Sequence, residues 1–286
     1  MSDPQSGHPR PAFWWLPVVG AIATIGLQIL WPLADGQSRT SLTIITVVIF
    51  AATSVIHSGI YLGARWAASY LAITVGFAFV IEAVGTNTGF PFSPYDYTDA
   101  LGVRVADVPL IIPLAWAMTT YPALLLSRRL SRAIKPTGRV RVLCAAIGAF
   151  ALTTWDLFLD PQMVSAGYWT WSHQAADLPG VPGIPTVNYP GWLAGSFVLM
   201  LLLSLLPTEP VSEVVPATLW TWTWIGGIVS NAFFFGRPSV ALVGGVAMAI
   251  VTVPYLWLLI KERNRDPQVA LTLEEGMSRC GSGFES

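Results

Sequence analysis

The chain has 286 residues, of which 53% are hydrophobic and only 11% charged, with a mean hydropathy of +0.59. Soluble domains carry about 25% charged residues, so this chain lacks the polar surface to cover a globule in water and reads as an integral membrane protein. A formal net charge of −1 gives no case for nucleic acid, and Cys144 and Cys280 form neither a metal-binding pattern nor an expected disulfide.

A bilayer crossing takes about 20 apolar residues. Taken in order, the expected spans are Phe13–Leu33, Leu42–Leu62, Trp66–Val84, Val108–Leu126, Val142–Leu159, Trp192–Leu206, Ala217–Phe235 and Val240–Ile260. The fold class is therefore all-α, a polytopic membrane helix bundle of about eight transmembrane helices. Seven is the alternative, because the sixth span is short and only Gly236-Arg237-Pro238 separates the last two. The apolar run after Phe13 is too long for a cleavable signal peptide, and no small-residue cleavage site follows it. Residues 1–12 read as a polar N-terminal segment, 13–265 as the transmembrane domain and 266–286 as a flexible tail.

Positive charge orients the spans. With the Arg128–Arg141 loop in the cytoplasm, alternation also places Arg10, Arg65, Lys261, Arg263, Arg265 and Arg279 inside, twelve of the fifteen basic residues. Arg39, Arg104 and Arg237 fall outside. The expected location is the cell membrane, with both termini cytoplasmic and the stretches Glu82–Asp107 and Asp156–Pro190 at the outer face.

The fifth span ends in TTWDLFLDPQMVSAGYWTW, which sets Asp156 and Asp160 four residues apart, on one helix face. Pro161 is expected to end that helix, since proline cannot donate the next backbone hydrogen bond. Glu82 lies near the end of the third span, where Gly85 is the expected C-cap. A charge at the bilayer centre costs roughly 2.5–3.5 kcal/mol on insertion scales, so three carboxyls near hydrocarbon call for a reason. The negative end of the helix dipole and apolar surroundings both disfavour the ionised form of Glu82 and Asp160, which is the condition for a general acid.

Structural roles compete with that reading. Asp156 and Asp160 can cap loop backbone or pair with Arg104, and Glu82 can bond Thr86 or Thr88. His57 reads as a packing or interhelical hydrogen-bonding residue rather than a ligand, and Asn231 as interhelical glue. Asp107, His173 and Asp177 read as solvated loop residues. No cluster of His, Cys and acid has convincing metal spacing, so no metal site is expected.

Aromatic residues crowd the same stretches: Phe90, Phe92, Tyr95 and Tyr97 after the third span, Trp155, Phe158, Tyr168, Trp169 and Trp171 about the fifth, Tyr189 and Trp192 before the sixth. An interfacial belt accounts for part of this. The functional reading is that ring faces stabilise a carbocation formed when a carboxyl protonates an isoprenoid double bond. Asp-rich prenyltransferases are a poorer fit, because the outer side has almost no Lys or Arg to neutralise a diphosphate.

The segments EAVGTNTGFPFSPYDYTDALG, VPLIIPLAWAMTTYPA, TTWDLFLDPQMVSAGYWTW and GIPTVNYPGW, in order between Glu82 and Trp192, resemble the CruF-type carotenoid hydratases, the family that includes bisanhydrobacterioruberin hydratase. The resemblance implies a multi-pass membrane enzyme of carotenoid biosynthesis that adds water to the terminal double bond of an acyclic carotenoid end. The implied partners are the acyclic carotenoid, membrane lipid and other enzymes of the pathway. No cofactor and no metal is expected. Asp160 or Glu82 would deliver the proton, Asp156 would take the proton lost by water, and Asn188 would position that water. Trp155, Tyr168, Trp169, Phe92, Tyr95 and Tyr97 would face the substrate. The alternatives are a carotenoid cyclase sharing the protonation step, and a carotenoid- or lipid-binding protein or transporter without catalysis.

Overall fold

A computed structural model describes residues 11–134, 140–172, 176–207 and 209–264. The polar N-terminal segment up to residue 10, the tail from 265, His173, Cys280 and the basic residues Arg10, Lys135, Arg139, Arg265 and Arg279 lie outside the described residues.

Eight α-helices form the bundle among these residues: α1 (Trp15–Leu30), α2 (Gly36–Leu62), α3 (Ala64–Thr88), α4 (Ile111–Ile134), α5 (Val140–Ser165), α6 (Asn188–Leu203), α7 (Val214–Val229) and α8 (Pro238–Arg263). Of these, α1 with its 3-10 extension to Leu33, α2, α3, α5 and α8 are long and apolar enough to cross a membrane. Helix α6 is apolar but short, and α7 continues into a π-helical turn, Ser230–Phe234, before the Gly236-Arg237-Pro238 bend. The protein is an all-α membrane helix bundle.

Two helices form the interior. Helix α5 packs against α4, α6 and α8, and α4 against α2, α3 and α5. Helix α4 is buried along most of its length, down to Arg128 and Ser131. The outer helices are apolar where they face away from the bundle. On α8, Leu242, Val246, Ile250, Val253 and Trp257 form an exposed stripe at helical spacing, a surface matched to lipid and not to water.

One end of the bundle is fastened by arginines. Arg129 pairs with Glu213 at 2.9 Å and also with Glu262, tying α4 to the start of α7 and the end of α8. Arg128 donates to the carbonyls of Leu203, the last residue of α6, and Leu206 just beyond it, both at 3.2 Å. Between α2 and α4, the His57 imidazole bonds the Tyr121 hydroxyl at 2.9 Å, the second of the two roles expected of it.

The opposite end carries two long loops, each with short strands. The α3–α4 loop holds β1 (Tyr95–Tyr97), β2 (Arg104–Val105) and β3 (Val108–Pro109). The α5–α6 loop holds β4 (Trp169–Trp171), β5 (Asp177–Leu178) and β6 (Val181–Pro185). Strands β2 and β3 pair within one loop and β5 and β6 within the other, but β1 and β4 pair across them, with Tyr95 opposite Trp171 and Tyr97 opposite Trp169. Alternation along a strand sends Tyr95, Tyr97, Trp169 and Trp171 to the same face of this ribbon.

Several expectations need correction. Helix α5 does not stop at Pro161, which sits inside it, but runs to Ser165. Its terminator is Gly167, left-handed at φ 77°, with the Tyr168 N–H bonded back to the Met163 carbonyl at 3.1 Å, a Schellman ending. Proline is tolerated inside membrane helices where neighbouring elements enclose the freed carbonyl, and Pro161 is buried. Helix α3 likewise passes Gly85 and ends at Gly89, φ 75°. Asn231 does not bridge helices; its amide donates to the Gly227 carbonyl of its own segment at 2.9 Å.

Candidate active site

Glu82, Asp156 and Asp160 are 4%, 1% and 2% exposed, and all three line one cavity of about 540 Å³ at the loop-bearing end of the bundle. Burying one carboxyl in apolar surroundings is expensive unless its oxygens are hydrogen-bonded. The sequence meets that requirement with donors from four separate elements.

Glu82 takes the most. Its Oε2 accepts the Tyr95 hydroxyl at 2.5 Å and the Tyr97 hydroxyl at 2.8 Å, while Oε1 accepts the Trp116 indole N–H at 2.9 Å. The two tyrosines reach it together because they are two apart on β1. Burial, and then the Glu82 carboxylate beside them, push both tyrosine hydroxyls well above their ordinary range, so they remain protonated donors. Thr86 and Thr88 turn back to main-chain carbonyls, and Arg104 pairs with Asp99 and donates to the Tyr97 carbonyl at 2.9 Å. None of these neutralises the three carboxyls.

Asp156 and Asp160 do share a helix face. Both Oδ2 atoms accept the Asn188 amide, at 2.9 Å and 2.8 Å, so one Nδ2 at the start of α6 bridges the pair. The Trp169 indole N–H of β4 reaches Asp160 Oδ1 at 2.7 Å. Among the described residues the Asn188 bond is the hydrogen bond made by Asp156, which leaves its other oxygen free at the cavity wall. Thus Glu82 has three donors, Asp160 two and Asp156 one.

Glycines make these approaches possible. A Cβ on Gly85 would lie 2.9 Å from the Tyr95 hydroxyl and 3.1 Å from the Phe92 ring, so its absence lets the tyrosine reach Glu82 one turn back. On α6, a Cβ on Gly191 would lie 2.5 Å from the Pro91 carbonyl, which seats the α3–α4 loop on that helix. Replacing Gly85 with alanine should displace Tyr95 and lower turnover on the order of tenfold, about the value of one hydrogen bond to a charged group. Turnover of the reconstituted variant checks this.

The rest of the wall is aromatic. Trp116 and Trp192 stack with centroids 4.3 Å apart and planes within 5°, and Trp155 meets Trp192 edge-on at 6.0 Å. Phe92, Tyr95, Tyr97, Trp155, Trp169 and Asn188, all expected at the substrate, line the cavity. Tyr168 does not. It lies one residue before β4, is fully buried, and its hydroxyl bonds Thr43 on α2 at 3.0 Å. Asp107 is exposed, and Asp177 accepts the Gly183 N–H in its own hairpin at 2.7 Å.

Sequence reasoning passed over Trp116 as a site residue, although it stands in the quoted segment VPLIIPLAWAMTTYPA. It also missed Gln28, Gln162, Trp222 and Ser230 at the cavity wall. Among the described residues no three of His, Cys, Asp and Glu are grouped to hold a metal ion.

Fold and site together define a membrane-embedded protein with buried carboxyls set in an apolar, aromatic cavity. Its residues 37–260 match the carotenoid biosynthesis protein family, and the chain belongs to that family. It is similar to the bisanhydrobacterioruberin hydratase of Haloarcula japonica, 33% identical over 135 residues, which are 46% of this chain and 42% of that protein. The chain thus aligns with less than half the length of that relative. No solved structure matches.

Proposed function

We propose that this protein hydrates the terminal double bond of an acyclic carotenoid end group. The observation that carries the reading is the grouping of Glu82, Asp156 and Asp160 around one apolar cavity, with aromatic faces where a cation would form. Membership in a carotenoid biosynthesis family and the similarity to a hydratase support the substrate class.

The hydrogen bonds favour a division of labour different from the one expected from sequence. Asp156, with one oxygen free, is the proton donor; its O–H bond breaks as a C–H bond forms at the less substituted carbon of the terminal double bond. Positive charge then develops on the tertiary carbon, beside Trp155 and the Trp116–Trp192 stack. Glu82, held by three donors, is a fixed negative charge facing that cation, and such preorganised electrostatics are usually the largest contribution to rate. Water attacks the tertiary carbon and passes its extra proton to Asp160, whose position Trp169 and Asn188 fix. A proton shift within the Asn188-bridged pair restores the starting state. These steps consume no redox equivalent and route nothing through a metal or cofactor.

Orientation follows from charge. The positive-inside rule supports a cytoplasmic position for the arginine-fastened end, with Arg128, Arg129, Arg132, Lys261 and Arg263, and on this reading the carboxyl cavity opens near the outer face of the cell membrane.

Pigment mass spectrometry of lycopene-accumulating cells, with and without this chain, tests the function. A more polar product heavier by one water is expected. An isomer of unchanged mass would assign a cyclase instead, and unaltered lycopene retained on the purified protein would assign a binder.

A further inference from the structure

The cavity is not equally enclosed on all sides. Its wall residues on α3, α4 and α5 are largely buried, whereas Ile29 on α1 and Ile225 on α7 are 51% and 46% exposed while lining the same space. Phe234, in the π-helical turn after α7, also lines it and is half exposed. A residue that borders both a cavity and the outer surface marks an opening, and these three mark it along the seam between α1 and α7. Such apolar side chains on outer helices of a membrane bundle face lipid.

Among the described residues a polar contact crosses this seam, the Trp222 indole N–H donating to the Gln28 side-chain amide oxygen at 2.8 Å. Both side chains line the cavity. A side-chain hydrogen bond in an apolar seam holds two helices together without interlocking them, and such bonds contribute little to helix association in membranes.

We propose that the α1–α7 seam is a lateral portal through which the polyene enters from the bilayer, reactive end first, with Gln28 and Trp222 as its latch. This rests on the carotenoid reading above. The substrate is a rigid apolar rod, comparable in length with the hydrocarbon core at roughly 30 Å. Its solvent is the membrane, so a lipid-facing opening avoids any passage through water. The end group reaches the carboxyls while the remainder of the rod lies in the seam.

The test narrows the opening from the lipid side. Ile29→Trp combined with Ile225→Trp fills the seam, and Ile250→Trp on the lipid face of α8 serves as the control, since Ile250 is 60% exposed and away from the cavity wall. Each protein is reconstituted in vesicles containing lycopene, and both hydration rate and lycopene retained after purification are measured. The double variant should lose on the order of tenfold in rate, about 1.4 kcal/mol, and retain less pigment, while the control matches the parent. Equal rates for all three, or equal losses in both variants, overturn the portal. A parent that retains lycopene without hydrating it removes the catalytic reading, and the portal then stands or falls on retention in the double variant. A parent that does neither removes both.

Discussion

Asp156→Asn should abolish hydration while the protein still inserts and folds. The amide oxygen of the replacement can go on accepting the Asn188 N–H now directed to Asp156 Oδ2, so the bridge at the start of α6 need not break. What disappears is the acidic proton at the free oxygen of the cavity wall. Loss of general acid catalysis removes roughly 10²–10⁴ in rate, which brings turnover to the limit of detection. Asp160→Asn should also slow turnover strongly, since the carboxylate placed to take the proton lost by water is gone and that proton must return directly to Asp156. Membrane yield and thermal unfolding of both variants establish that they fold, and product formation from lycopene is the readout. Full activity in both would remove the acid–base account.

Glu82→Gln should be nearly as severe for a different reason. The carboxylate accepts donors on both oxygens, Tyr95 and Tyr97 on one and Trp116 on the other. A glutamine has one acceptor side, so its amide N–H must oppose either the tyrosine hydroxyls or the indole N–H. One buried donor is left unsatisfied, a destabilisation of about 1–3 kcal/mol. The negative charge facing the cation is lost too. By analogy with removal of a single preorganised group at a developing charge, turnover should fall on the order of 10²–10³-fold. Tyr97→Phe, which leaves the charge and two of the three donors, should be much milder. If the phenylalanine variant matches the glutamine variant in loss of rate, the role of Glu82 is positional and not electrostatic.

Much of the fold was legible because membrane helices announce themselves by hydropathy, and the eight expected spans correspond in order to α1–α8. The helix ends were less legible. Pro161 and Gly85 carry the usual stop signals, but here proline is buried mid-helix and Gly85 clears space for Tyr95, while Gly167 and Gly89 do the terminating. Local sequence states where a chain can stop, and tertiary packing decides whether it does.

The acids of the candidate site were legible too, since a carboxyl in an apolar run is conspicuous and i, i+4 spacing fixes the face. Their partners were not. The β1–β4 ribbon joins two three-residue strands more than 70 positions apart, too short for a periodic signal and dependent on the loops meeting in space. That register separates Trp169, which reaches Asp160, from Tyr168, which turns away to Thr43. Trp116 escaped notice because a tryptophan in an apolar helix looks like packing until a carboxylate is found opposite its N–H.

Purified protein reconstituted with lycopene in heavy-oxygen water tests the central claim most directly, that a buried carboxyl protonates the polyene and water captures the cation. The account predicts a product one water heavier whose tertiary hydroxyl carries the heavy oxygen, formed by the parent and absent with Asp156→Asn. A product of unchanged mass, or equal hydration by the Asp156→Asn variant, would contradict it.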